Sequence, residues 1–298
     1  MSKLMSYTGG KYMLQIGGEN CGFVKSVDGG AQKANVAEIQ DSGSHLTTKH
    51  ISTVEYTPFK ATIGISEGAP MYKWIRSSFG NDPQARDGAI TIATQDFKAR
   101  EEITFLGAYV SEFKLPKLDS SSKETGFCEI GWEASNVAIT KGGGQVIKAP
   151  VNTKQKAFSV SNFRLEIDGL ETTTVKSVDA ITFTQKLVKE YSGELKFPVI
   201  VPGRCSFSNL KVTLSHAEIE SWEQWAKSWF SGQSTEPHEK SGSITLLSHD
   251  LKTELARINL FHIGLVSLTR KGSSNNDDAI KTFDAECYLE RAEFEAVG

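Results

Sequence analysis

The chain has 298 residues and a formal net charge of −3, with 39% hydrophobic, 9% aromatic and 23% charged residues. This balance excludes a disordered or fibrous chain. The slight acidity argues against tight duplex binding, which needs Lys and Arg to displace counterions from phosphates.

Residues 12–16 alternate apolar and polar side chains and end at Gly17, the pattern of a half-buried strand. Residues 31–40 and 50–56, rich in Thr, Val, Ile and Lys, flank the turn-like Asp41-Ser-Gly-Ser-His45 and predict a long hairpin. In it Lys33 and Glu38 are expected to face water and Val36 to face the domain. A helix follows, with Pro70 in its first turn and Met71, Trp74, Ile75 and Ser78 on one side, before Gly80-Asn-Asp-Pro83 stops it. Strands are predicted at 89–93, 103–110 and 127–132. Three glycines and Pro150 then mark residues 141–156 as a solvated linker.

Beyond the linker, residues 163–167 read as a strand, and 180–191 with 195–201 as a second long hairpin. Ile181, Phe183 and Leu187 are expected to face inward, opposite Thr182, Thr184, Lys186 and Lys189. Ser215 and Glu218 form a potential capping box ahead of a helix with Ile219, Trp222, Ala226, Trp229 and Phe230 on one face. Trp74, Trp222, Trp225, Trp229 and Phe230 are the expected core residues of the two helices. Further strands are predicted at 244–247, 256–268 and 283–289.

The two halves say nearly the same thing. Leu14-x-Ile16-x-Gly18 and Val24-Lys-Ser-Val-Asp28 return 151 residues later as Leu165-x-Ile167-x-Gly169 and, with the two pieces at that same offset, Val175-Lys-Ser-Val-Asp179. The same offset carries Lys60 to Lys211, Thr62 to Thr213, Trp74 to Trp225 and Phe79 to Phe230, and it drifts to 154 at Ile90 and Ile244. The expected fold is mainly β: two tandem β-sandwich or barrel domains, residues 1–140 and 157–298, each with one flanking helix and one long hairpin.

Catalytic spacings are missing. No H-E-x-x-H, Walker A or G-x-G-x-x-G sequence occurs. His45 and His50 read as solvated turn residues, Glu218, Glu220 and Glu223 as a wet helix face, and His262 as a satisfied strand histidine. Cys21, Cys128, Cys205 and Cys287 lack metal or redox spacing and are expected as reduced, partly buried thiols. No catalytic, cofactor-binding or metal-binding residue is expected, and with no long apolar run the chain is expected in the cytoplasm and not in a membrane.

The order of these segments resembles the tail tube protein family of contractile phages and phage-tail-like contractile injection systems. The likeness rests on Phe23-Val-Lys-Ser-Val-Asp-Gly29, Ile63-Gly-Ile-Ser-Glu-Gly68 without the family's arginine, Met71 to Trp74, and Phe163 to Gly169 with Val175-Lys-Ser-Val178. It implies a β-sandwich or small barrel whose long hairpin joins neighbouring subunits in a continuous inner barrel, in stacked hexameric rings. Two fused domains then imply a trimeric pseudo-hexamer, with Lys33, Glu38, Thr182, Thr184, Lys186 and Lys189 toward the lumen. Sheath, baseplate or spike partners, DNA or protein cargo, and assembly in a bacterial cytoplasm into a virion tail or injection apparatus complete the expectation. An initiator or hub ring joining a threefold spike to a sixfold tube is the alternative, ahead of a tandem carbohydrate-binding module.

Overall fold

A computed structural model of the chain describes residues 10–40, 43, 45–65, 69–80, 82–148, 158–193, 197–231, 239–271 and 281–296. The first half contains β1 (Lys11–Ile16), β2 (Glu19–Val24), β3 (Ser26–Asp28), β4 (Gln32–Gln40), β5 (Thr47–Tyr56), β6 (Phe59–Ile63), α1 (Ala69–Phe79), β7 (Arg86–Ala93), β8 (Ala99–Leu115), β9 (Leu118–Asp119), β10 (Cys128–Glu133) and β11 (Asn136–Lys141). The second contains β12 (Phe163–Ile167), β13 (Val175–Val178), β14 (Ile181–Glu190), β15 (Val199–Phe207), β16 (Leu210–Ser215), α2 (Ile219–Phe230), β17 (Lys240–Leu247), β18 (Glu254–Arg270) and β19 (Thr282–Ala296). The fold is mainly β.

The repeat survives in the topology. The strand order β1-β7-β8-β10-β6-β3 recurs as β12-β17-β18-β19-β16-β13. Ile90 stands opposite Ile103, and Ile244 opposite Ile258. Even the left-handed backbone positions match, Phe97 with Leu251 and Gly107 with His262.

α2 lays its apolar face on its own sheet, and α1 packs on its own sheet and on β19 of the other half, because Trp and Phe bury large areas at few rotatable bonds. Trp74 packs on Phe105 and edge-on to Trp132, and Trp132 stacks on Phe59 with centroids 5.1 Å apart. Trp222 meets Phe283 and Trp225 edge-on. Trp74, Trp222 and Trp225 are buried, Trp229 is partly buried, and Phe230 is 59% exposed, against expectation for a core residue. One continuous apolar cluster runs through both halves. Tyr72 of α1 stacks on Phe294 of β19, and Arg76 lies 3.8 Å from Glu295.

Several expectations are corrected. The capping box does not form: Ser215 caps a short 3-10 turn, His216–Glu218, and Glu218 turns to the 173–174 loop. Its buried carboxylate accepts the Thr174 N–H at 3.0 Å and the Thr173 hydroxyl. Gly17 and Gly18 make the first turn, both at positive φ, and β2 starts at Glu19. β8 is far longer than its predicted core, because a left-handed Gly107 bends the strand without ending it. The second hairpin returns at Val199–Phe207, later than 195–201; Leu195 lies outside the described residues, as do Asp41, Ser42 and Ser44 of the first turn.

The start of the expected linker is docked. Gly142 donates to the Arg100 carbonyl at 2.7 Å, Gly144 to Ala99 at 3.0 Å, and Ile147 to Phe97 at 2.8 Å, with Ile147 buried. Residues 149–156 of that linker lie outside the described residues.

Candidate functional site

The joint between the halves is made by the second hairpin. Ile181, Thr182, Phe183 and Thr184 of β14 pair antiparallel with Leu115, Lys114, Phe113 and Glu112 of β8, so a hairpin from one half extends the sheet of the other. Phe183 is driven there by burial: its ring sits 5.7 Å from Phe79, 5.7 Å from Phe113 and 5.4 Å from Phe207. Ile181 is fully buried beside it. A shorter reciprocal contact pairs β9 with β13.

The first hairpin has no such seat. β4 and β5 form a separate two-stranded sheet, and Val36, Ile39 and Ile51 are 55%, 52% and 70% exposed. The expected inward face of Val36 is therefore overturned; β4 is exposed on both faces. A bare hairpin with apolar side chains is marginal in water and an open template for pairing. Thr57 donates its N–H to the Ala31 carbonyl at 2.9 Å, which turns the polar groups of Ala31 toward β5 and those of Gln32, one residue on, away from it.

The matching acceptor edge is also open. Glu112–Leu115 of β8 correspond to residues 267–270 of β18, where β19 lies on one side and, among the described residues, no strand lies on the other. Leu268 is only partly buried, whereas its counterpart Phe113 is fully buried. Phe230 repeats the pattern: its counterpart Phe79 is 9% exposed because Phe183 covers it.

Side chains fasten the two hairpins to each other. The Tyr191 hydroxyl donates to Glu55 at 2.6 Å, and Lys189 lies 3.8 Å from Glu55 and 3.1 Å from Glu133. The bond from Tyr191, and then one from Asn35, holds Glu55 below the usual carboxylate range, while Tyr191 is pushed up to about 12 chiefly by the same bond. Lys189 thus shares a face of β14 with Phe183 and Gln185, while Thr184 and Lys186 are exposed on the opposite face and Thr182 is partly exposed there. Lys33 is exposed, and Glu38 is exposed and paired with Lys49 at 2.6 Å.

The thiols are all free, and burial pushes Cys128 and Cys287 up to about 12, which keeps them protonated and unreactive. His262, read as a satisfied strand histidine, lies in β18 at φ 54 with its Nδ1 2.9 Å from Glu239.

The comparisons with known proteins follow the same division. Residues 10–138 and 159–290 each match the family described as T4-like virus tail tube protein gp19. No curated protein matches the chain. Among solved structures, the anti-feeding prophage cap, a tube terminating cap, is 17% identical over 48% of this chain and 95% of its own, with a TM-score of 0.42. The sheath/tube terminator of the PVC extracellular contractile injection system is 19% identical over 47% of this chain and 99% of its own, at 0.40. Hcp1 from Flavobacterium johnsoniae is 12% identical over 45% and 95%, at 0.27. The doubled match, which spans most of the chain, carries the assignment: the chain belongs to the T4-like virus tail tube protein family, with one copy of the family's domain in each half.

Proposed function

We propose that the chain is a structural component of a contractile tail or injection tube, closing as a head-to-tail ring of three copies that presents six domains. The single observation that carries this reading is the pairing of β14 with β8 inside one chain, while β4 and the equivalent edge of β18 stand open. Carried over by the repeat, Gly30, Ala31, Gln32 and Lys33 of one copy pair with Arg270, Thr269, Leu268 and Ser267 of the next. Each ring then contains three joints within chains and three between them. Such closure pairs the β4 and β18 edges that a free monomer leaves open, which is what makes it favourable.

The ring wall is the conduit for DNA or protein cargo, and its outer surface takes sheath, baseplate or spike proteins. The chain contributes no chemistry of its own; it works by geometry. The division into two domains around residues 141–156 belongs to the same reading, the linker keeping the second domain at high effective concentration beside the first.

Sizing with light scattering tests it. The expected mass is three times the chain's 32.6 kDa, and negative-stain images should show pseudo-sixfold rings. The substitution Gln32→Pro removes the outward N–H of β4 and should yield folded single chains. A wild-type protein that stays monomeric at micromolar concentration contradicts the reading; long stacks or isolated rings then separate a tube from an initiator.

A further inference from the structure

The second half carries a cluster that the first half lacks at all three positions. Glu239, just before β17, His262 of β18 and Glu290 of β19 bring one ligand atom each to within 4.8 Å of one another. Strand register identifies their counterparts. Lys240 stands opposite Ile263 as Arg86 does opposite Ala108, and Arg291 opposite Phe261 as Asn136 does opposite Leu106. The first-half residues are therefore Ala85, Gly107 and Ser135, of which none is a metal ligand.

His262 makes the difference informative. Gly107 has φ 58 at this bulge and His262 has φ 54, so an imidazole occupies a left-handed position that the other copy gives to glycine. That conformation is strained for an L residue with a Cβ. It holds the His262 Nδ1 2.9 Å from one oxygen of Glu239, while the other oxygen accepts the Tyr288 hydroxyl at 2.6 Å. The Tyr288 ring is in turn laid across Gly264, where a Cβ would meet it at about 2 Å. Tyr288 thus orients the carboxylate in the way that outer hydrogen bonds orient metal ligands.

We propose that Glu239, His262 and Glu290 bind one divalent transition-metal ion of the zinc type. One imidazole and two carboxylates are an ordinary ligand set for such an ion, and the exposure of His262 and Glu290 leaves room for water in the remaining positions. The three ligands come from three separate segments, and none of them has a ligand counterpart in the first half. The site stands independently of ring formation.

Calorimetric titration of the tag-free full chain with Zn2+, and visible spectroscopy with Co2+ at pH 7.5, test the proposal. His262→Gly restores the first copy's residue and relieves the left-handed strain, and Glu290→Ser restores the other counterpart at an exposed position. The expected result is one ion per chain in wild type with low-coordinate Co2+ bands, loss of both in H262G, and weakened binding in E290S; Y288F should weaken binding about tenfold. All variants should keep the wild-type oligomeric state. Titration that detects no ion in wild type, or equal binding in wild type, H262G and E290S, overturns the proposal; if H262G fails to fold, E290S alone decides.

Discussion

Phe79 and Phe183 lie in opposite halves of the chain, yet their rings meet with centroids 5.7 Å apart, and this contact is what buries the end of α1. The residue that corresponds to Phe79 in the second half, Phe230, is 59% exposed. The difference lies in the hairpin that covers the helix, since β14 reaches α1 within the chain and β4 has no α2 of its own chain to reach.

The two phenylalanines should therefore respond differently to truncation. On a single-chain background made by Q32P, Phe79→Ala should lose about 3 kcal/mol of unfolding free energy, whereas Phe230→Ala should change it by less than about 0.5 kcal/mol. In the ring-forming protein, F230A should instead raise the concentration needed for assembly. Equal losses for the two variants in urea unfolding would contradict the account.

The Tyr191–Glu55 bond predicts a pH dependence with two limbs. Glu55 has an ordinary value of 4.5 that is lowered in the folded protein, so its contribution is present above that value and fades as pH falls through the lowered one. Tyr191 is raised from 10.0 to about 12, so its contribution holds below pH 10 and fades as pH rises through about 12. Tyr191→Phe should flatten both limbs of the stability profile followed by circular dichroism. A variant profile superimposable on wild type would exclude the bond as their cause.

Much of this was legible in the sequence because the repeat could be read twice. Trp74, Trp222 and Trp225 fall at helical spacing in both copies, and each is buried. Phe230 has the same spacing and is not, because periodicity reports which face a residue shares, not which strand covers that face. For the same reason Val36 reads as an inward residue although its hairpin has no sheet beneath it. Lys189 follows the same period as Phe183, although its charge points to water alongside Thr182, Thr184 and Lys186; Glu55 and Glu133 are its partners on the inner face. The left-handed geometry at His262 left no signal in its own neighbourhood and emerges only when Gly107 is recognised as its counterpart.

Glu218 should be a local keystone for the second half. Replacing it by Ala removes the charged acceptor of the Thr174 N–H and the Thr173 hydroxyl, a loss of about 1.5–3 kcal/mol. Burial by itself would raise this carboxyl, but the bonds from Thr173 and Thr174 outweigh it and hold the group lowered. Thermal unfolding of E218A with no loss of stability would show that the loop is held by other contacts.

Leu251 offers the opposite case. It is 59% exposed at φ 56, so its side chain contributes little while its backbone is strained. Leu251→Gly should raise stability by about 0.5–1 kcal/mol, the left-handed penalty outweighing the added freedom of the unfolded chain. A decrease on chemical denaturation would mean that Leu251 makes a contact in the assembled ring.

The inter-copy joint can be tested directly with cysteines at Lys33 and Ser267, whose counterparts Thr184 and Glu112 stand opposite each other within the chain. Opposed residues on paired antiparallel strands have Cα atoms about 4.5–5.5 Å apart, within the span of a disulfide. Under mild oxidation the double variant K33C/S267C should give a covalent ladder that stops at three chains on a non-reducing denaturing gel. Chains that remain single, or a ladder that continues past three, would contradict closure by this pair of edges.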